Sequence, residues 1–150
     1  MVGEGQAERP RRARRDDYRL FRPIQTRWAD NDVYGHANNV VYYAWFDTAV
    51  NAWLIEQGFL DPAASPVIGL VVETGCRYHE SVGFPEALEA GLAVARLGTS
   101  SIVYEVGIFR AGGVEAAAEG RFVHVMVDRA TQRPAPIPDA MRRGLEALLR

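Results

Sequence analysis

The chain has 150 residues, of which 48% are apolar, with one cysteine and a formal net charge of −2 at pH 7. That is enough for a single domain with one substantial core. It excludes a polybasic nucleic-acid binder, and a lone cysteine excludes an internal disulfide framework. All the basic residues are arginines, which reads as a coding bias rather than a site.

Residues 1–17 hold few apolar side chains and two arginine clusters, so the composition predicts a frayed, solvated tail ahead of one domain over residues 18–150. No apolar stretch is long enough to span a membrane and the start lacks a signal-peptide core, so no membrane partner and a cytoplasmic location are expected. Residues 18–29 alternate as a first strand through Leu20, Ile24 and Trp28, and Pro23 argues for an edge position. A helix is expected over residues 39–57, with Asn38 or Asn39 as N-cap and Gly58 as C-cap. Its apolar residues cover nearly the whole circumference, which predicts a helix buried on most sides.

Four more strands are predicted, over residues 67–79, 88–97, 101–110 and 115–128, with turn signals and no helical pattern between them. A three-proline loop follows, and residues 139–150 read as a short amphipathic helix with Met141, Leu145, Leu148 and Leu149 on its apolar face. The order is strand, long helix, four antiparallel strands: an α+β domain. One five-stranded sheet covers such a helix only in part, so the sheet should curl around it and a second copy should close the rest.

The densest chemistry lies just before the helix, where Asp30, Asp32, Gly35, His36, Asn38 and Asn39 fall within ten residues. Gly35 allows a sharp bend, and the first helix amides have no intrahelical acceptors. A carboxylate folded back over those amides suits chemistry on a carbonyl. Asp32 also suits an ordinary turn or cap, and Asp30 a structural loop hydrogen bond. His36 suits either orienting Asp32, a sulfur or a water, or a backbone hydrogen bond in the loop. Asp47 and Asn51 share a helix stripe with Tyr43, too far from Asn39 to act on the same carbonyl, and read as a buried polar network. Cys76 sits in the apolar run 69–78 and reads as an inert buried thiol. His36, His79 and His124 are scattered, so no metal site is expected, and no dinucleotide fingerprint calls for a cofactor.

The run Arg27-Trp28-Ala29-Asp30-Asn31-Asp32 through Gly35-His36-Ala37-Asn38-Asn39 and Tyr42-Tyr43, with a second match at Arg77-Tyr78-His79 and Phe84 to Glu89, resembles the hotdog-fold acyl-CoA thioesterases of the 4-hydroxybenzoyl-CoA thioesterase type. The resemblance implies a long central helix wrapped by a curved five-stranded antiparallel sheet. It implies homodimers with a continuous sheet, often tetramers, and active sites at the dimer interface. It assigns the catalytic carboxylate to Asp32 and polarisation of the thioester carbonyl to the Asn39 N–H. The substrate it implies is an acyl-CoA or acyl-carrier-protein thioester, and the Gly35–Asn39 wording is closer to the long-chain acyl branches.

Thioester cleavage asks little of a site. A thiol leaving group with a pKa near 8.5, as in cysteine, departs without a strong acid. Asp32 would attack the carbonyl or activate a water, and the helix amides would stabilise the oxyanion. Two other readings remain: a hotdog protein that binds an acyl thioester without cleaving it, and a hydroxyacyl-thioester dehydratase built on an Asp32–His36 pair.

Overall fold

The structure, a computed structural model, describes residues 11–150. Its strands are β1 (Leu20–Gln25), β2 (Val67–Tyr78), β3 (Ala87–Leu97), β4 (Ser101–Arg110) and β5 (Ala118–Asp128). They form one antiparallel sheet in the order β1-β3-β4-β5-β2. The long helix α1 (Val41–Glu56) follows β1 in the chain, and the short helix α2 (Asp139–Glu146) follows β5. This is the expected hotdog arrangement, with each predicted element within a few residues of its place.

The period of two along the strands divides the sheet into two faces. On the inner face Ile102, Tyr104, Val106 and Ile108 of β4 and Ala118, Phe122 and Met126 of β5 join Phe46, Val50 and Trp53 of α1 in the main core. A Cβ at position 120 would collide with the buried Phe46 ring, so glycine there lets α1 lie close on the sheet. The helix ends at Gly58, whose φ of +76° suits glycine, and the Phe59 and Leu60 amides both donate to Leu54 O. Met141, Leu145 and Leu148 then cover one end of the core, as the amphipathic pattern predicts, whereas Leu149, expected on the same face, is exposed.

The expected tail divides. Residues 1–10 lie outside the described residues. Residues 11–17 are not frayed but lie along the outer face of the sheet. Ala13 and Tyr18 pack with Phe21, Ala93, Phe109 and Ala116 in a second small cluster. Arginine side chains add contacts beside this cluster. Arg12 Nε donates to Ala116 O at 2.6 Å, Arg15 pairs with Glu89 at 2.7 Å, and the Arg15 guanidinium lies 4.2 Å over the Phe21 ring.

Two strips stay open. The edge strand β2 exposes Leu70, Val71 and Val72, with a bulge between Val71 and Glu73. The helix, expected to be buried on most sides, leaves Ala44, Asp47, Thr48 and Ile55 exposed within one chain. None of the helices among the described residues is long and apolar enough to cross a membrane.

Candidate active site

Between β1 and α1 the chain does not continue as strand. Trp28–Asp30 form a 3-10 turn, because the fully buried Asp30 carboxylate accepts the Arg27 N–H at 2.7 Å and its guanidinium at 2.8 and 3.0 Å. Asp30 is therefore occupied in holding the loop. The next residues form a tight turn closed by an Asn31–Ala37 bridge, with Asp32 N–H donating to His36 O at 2.8 Å and Gly35 N–H to Asp32 O at 3.1 Å. Gly35 has φ +79°, the bend that favours glycine. Asp32 Oδ1 accepts the Tyr34 N–H at 2.8 Å, as a turn-forming aspartate does. Its Oδ2 has no protein donor among the described residues. His36 is exposed, and its ring makes no hydrogen bond to Asp32 or to the backbone among the described residues.

At the helix start the N-cap is Val40, with no side-chain cap bond, rather than the expected Asn38 or Asn39; the turn just before it is organised by Asn38. Its Oδ1 accepts the Val40 N–H at 3.1 Å, its carbonyl accepts the Val41 N–H at 2.9 Å, and its own N–H donates to Asp30 O at 2.8 Å. Of the amides from Asn38 to Val41, only Asn39 N–H has no acceptor among the described residues. The Asn39 carbonyl is held from across the fold by the Tyr78 hydroxyl at 2.8 Å. Burial pushes the Tyr78 phenol up, so it stays protonated as that donor.

Asp32, His36 and Asn39 line one cavity of about 320 Å³ with Tyr42, Tyr78 and His79. The structure thus brings the three expected site residues together. Tyr78, at the end of β2, is the participant that sequence spacing missed; its place in the secondary match was the only signal. A second cavity, of about 400 Å³, lies between β1 and α1, but its arginines are already paired, Arg22 with Glu56 and Arg27 with Asp30.

Other candidates fall elsewhere. Asp47 and Asn51 do pair, at 3.0 Å, but on the outside of α1 rather than in a buried network; the open strip of the helix carries them. Among the strand arginines, Arg121 pairs with Glu73, and Arg110 with Glu80 and Glu86. Burial pushes the Cys76 thiol up to about 11, which leaves little thiolate at neutral pH.

Comparison with known proteins agrees with this fold. The profile of the thioesterase-like superfamily matches residues 26–145. The PA5185 protein of Pseudomonas aeruginosa is 55% identical over 93% of this chain and 97% of its own, with a TM-score of 0.90. PA2801 of the same organism, a candidate thioesterase, is 31% identical over 83% of this chain and 96% of its own, with a TM-score of 0.75. Slr0204 of Synechocystis, a 1,4-dihydroxy-2-naphthoyl-CoA thioesterase, is 15% identical over 83% of this chain and 93% of its own; its TM-score of 0.75 is a likeness of fold alone. No curated protein matches the chain.

Proposed function

Because the chain belongs to the thioesterase-like superfamily, we propose that it hydrolyses thioesters of coenzyme A or an acyl carrier protein to the free acid and the thiol. One observation carries the reading: Asp32, with one carboxylate oxygen free of protein donors, and Asn39, with its amide free of acceptors among the described residues, line the same cavity. The substrate carbonyl oxygen accepts the Asn39 N–H. Asp32 either takes a proton from a water that adds to the carbonyl carbon, or adds directly to give a mixed anhydride that water then cleaves. In both routes the C–S bond breaks as the oxyanion collapses, and the thiolate leaves without a strong acid. His36, exposed beside the cavity, is placed to contact the thiol or a water rather than to orient Asp32.

The working unit is a homodimer, assembling further to a tetramer in the wider family. The long, apolar, unpaired edge of β2 and the open strip of α1 support it.

Asp32→Asn tests the function. The amide keeps the shape and still accepts the Tyr34 N–H, but it is neither base nor anionic nucleophile. The expected loss is roughly 10²- to 10⁴-fold in kcat, with KM and melting temperature nearly unchanged. Asp30→Asn is the contrasting control and should lower stability first. An Asp32→Asn protein that turns over its best acyl-CoA at close to the wild-type rate refutes the assignment.

A further inference from the structure

The turn that carries Asp32 is clasped at both ends by the segment just before β3. Phe84 N–H donates to Asn31 Oδ1 at 2.9 Å, and Ala37 N–H donates to Val82 O at 2.7 Å. Asn31 and Ala37 are the bridge pair that closes the turn. The two loops touch closely, since a Cβ on Gly83 would come within 3.0 Å of Asn31 Oδ1 and 3.1 Å of Gly35 O. The position of Asp32 therefore follows the position of residues 80–86.

That segment has little regular structure; the buried Val82, Thr26 Oγ1 donating to Glu86 O at 2.9 Å and Glu80 N–H donating to Ala117 O at 3.0 Å anchor it, and the Arg110 side chain grips it at three further points. Arg110, the last residue of β4, donates from Nε to Glu86 Oε1 at 2.7 Å, from Nη1 to Glu80 Oε2 at 2.5 Å and from Nη2 to Ser81 O at 2.6 Å. The second oxygen of Glu86 accepts the Gly83 N–H at 2.8 Å, passing the restraint to the glycine that abuts the Asp32 turn. Only a planar fork with several fixed donors makes these three bonds at once; an ammonium does not. Ion pairs this exposed add little to stability, the Arg110 side chain being 43% accessible. Their consequence is geometric.

We infer that Arg110 is a positioning residue for Asp32: it ties the loop at residues 80–86 to the rigid sheet, and that loop holds the Asp32 turn over the Asn39 amide. The inference rests on the reading of Asp32 as the reacting carboxylate.

The test uses Arg110→Ala and Arg110→Lys in the full chain, with hydrogen exchange at the Ala37 amide, kcat, KM and melting temperature. Arg110→Ala should speed Ala37 exchange and lower kcat roughly 10- to 100-fold, with KM and melting temperature little changed, because a misplacement near 1 Å is enough for that loss. Arg110→Lys should follow it despite keeping the charge. Millimolar guanidinium chloride should restore much of the kcat of Arg110→Ala and leave the wild type unaffected. Wild-type Ala37 protection and kcat in both variants overturn the inference. So does a fall in kcat that tracks melting temperature, with Ala37 protection unchanged and no rescue. If Arg110→Ala does not fold, Arg110→Lys decides by the same exchange and kcat readings. If the wild type cleaves no acyl thioester, the proposed function fails, while Ala37 exchange still decides whether Arg110 holds the turn.

Discussion

His124 should make the protein acid-labile in a narrow window, and His124→Gln should remove that lability. The side chain lies on the inner face of the sheet, 2% exposed, with its Nδ1 buried and unpartnered and the Tyr104 and Phe122 rings beside it. Burial pulls its pKa down to about 4 from an ordinary 6.5. The native state holds the ring neutral, whereas the unfolded chain takes up a proton as the pH falls through 6.5. The stability is whole above that value, declines as the pH falls, and is fully lost once the pH passes below about 4. A shift of that size corresponds to about 3 kcal/mol in total, and about 2 kcal/mol of it is gone at about pH 5. The assay is urea denaturation at about pH 7.5 and about pH 5, above the range where carboxylates titrate, for wild type and His124→Gln. The wild type should lose about 2 kcal/mol more than the variant between the two conditions, whatever the variant's stability at the higher pH. Equal losses in the two proteins would refute the reasoning.

Two further predictions concern the thiol and the assembly. Cys76, with its thiol pushed up to about 11, should react slowly with a small thiol reagent in the native state, and Cys76→Ser or Cys76→Ala should keep turnover; loss of activity in both folded variants contradicts it. Light scattering at micromolar concentration should give at least a dimer, because β2 and one strip of α1 lack cover among the described residues; a stable folded monomer is the opposing result.

Local pattern carried α1, the strands after it and α2 into view, because each depends on residues near one another in the chain. The exceptions have local causes of another kind. The first strand stops at Gln25 because the Asp30 carboxylate closes a turn on Arg27, a hydrogen bond that hydrophobic alternation does not register. Residues 11–17 were misread for a similar reason. Their apolar count is low, but arginine stems and guanidinium groups supply the contacts, and the partners Glu89 and Ala116 are far along the chain. In the site, Asp32, His36 and Asn39 were legible as a compact motif. Tyr78 against Asn39 and Arg110 against Glu86 were not, since the pairs are separated by 39 and 24 residues and meet only through the sheet.

What distinguishes the Asp32 turn from an ordinary capped loop is which polar groups it leaves over. Asn38 answers the Val40 and Val41 amides, Asp30 O answers the Asn38 amide, and the Tyr34 amide answers Asp32 Oδ1. Among the described residues Asn39 N–H and Asp32 Oδ2 have no protein partner, and the two residues line one cavity that is open to water. A thioester carbonyl needs one donor for its oxygen and one base or nucleophile for its carbon, and it presents both needs on neighbouring atoms. The Tyr78 bond to the Asn39 carbonyl and the clasp on Asn31 and Ala37 tie the two residues' backbones to different parts of the fold. On the proposed reading, donors set in place beforehand need no reorganisation as charge develops.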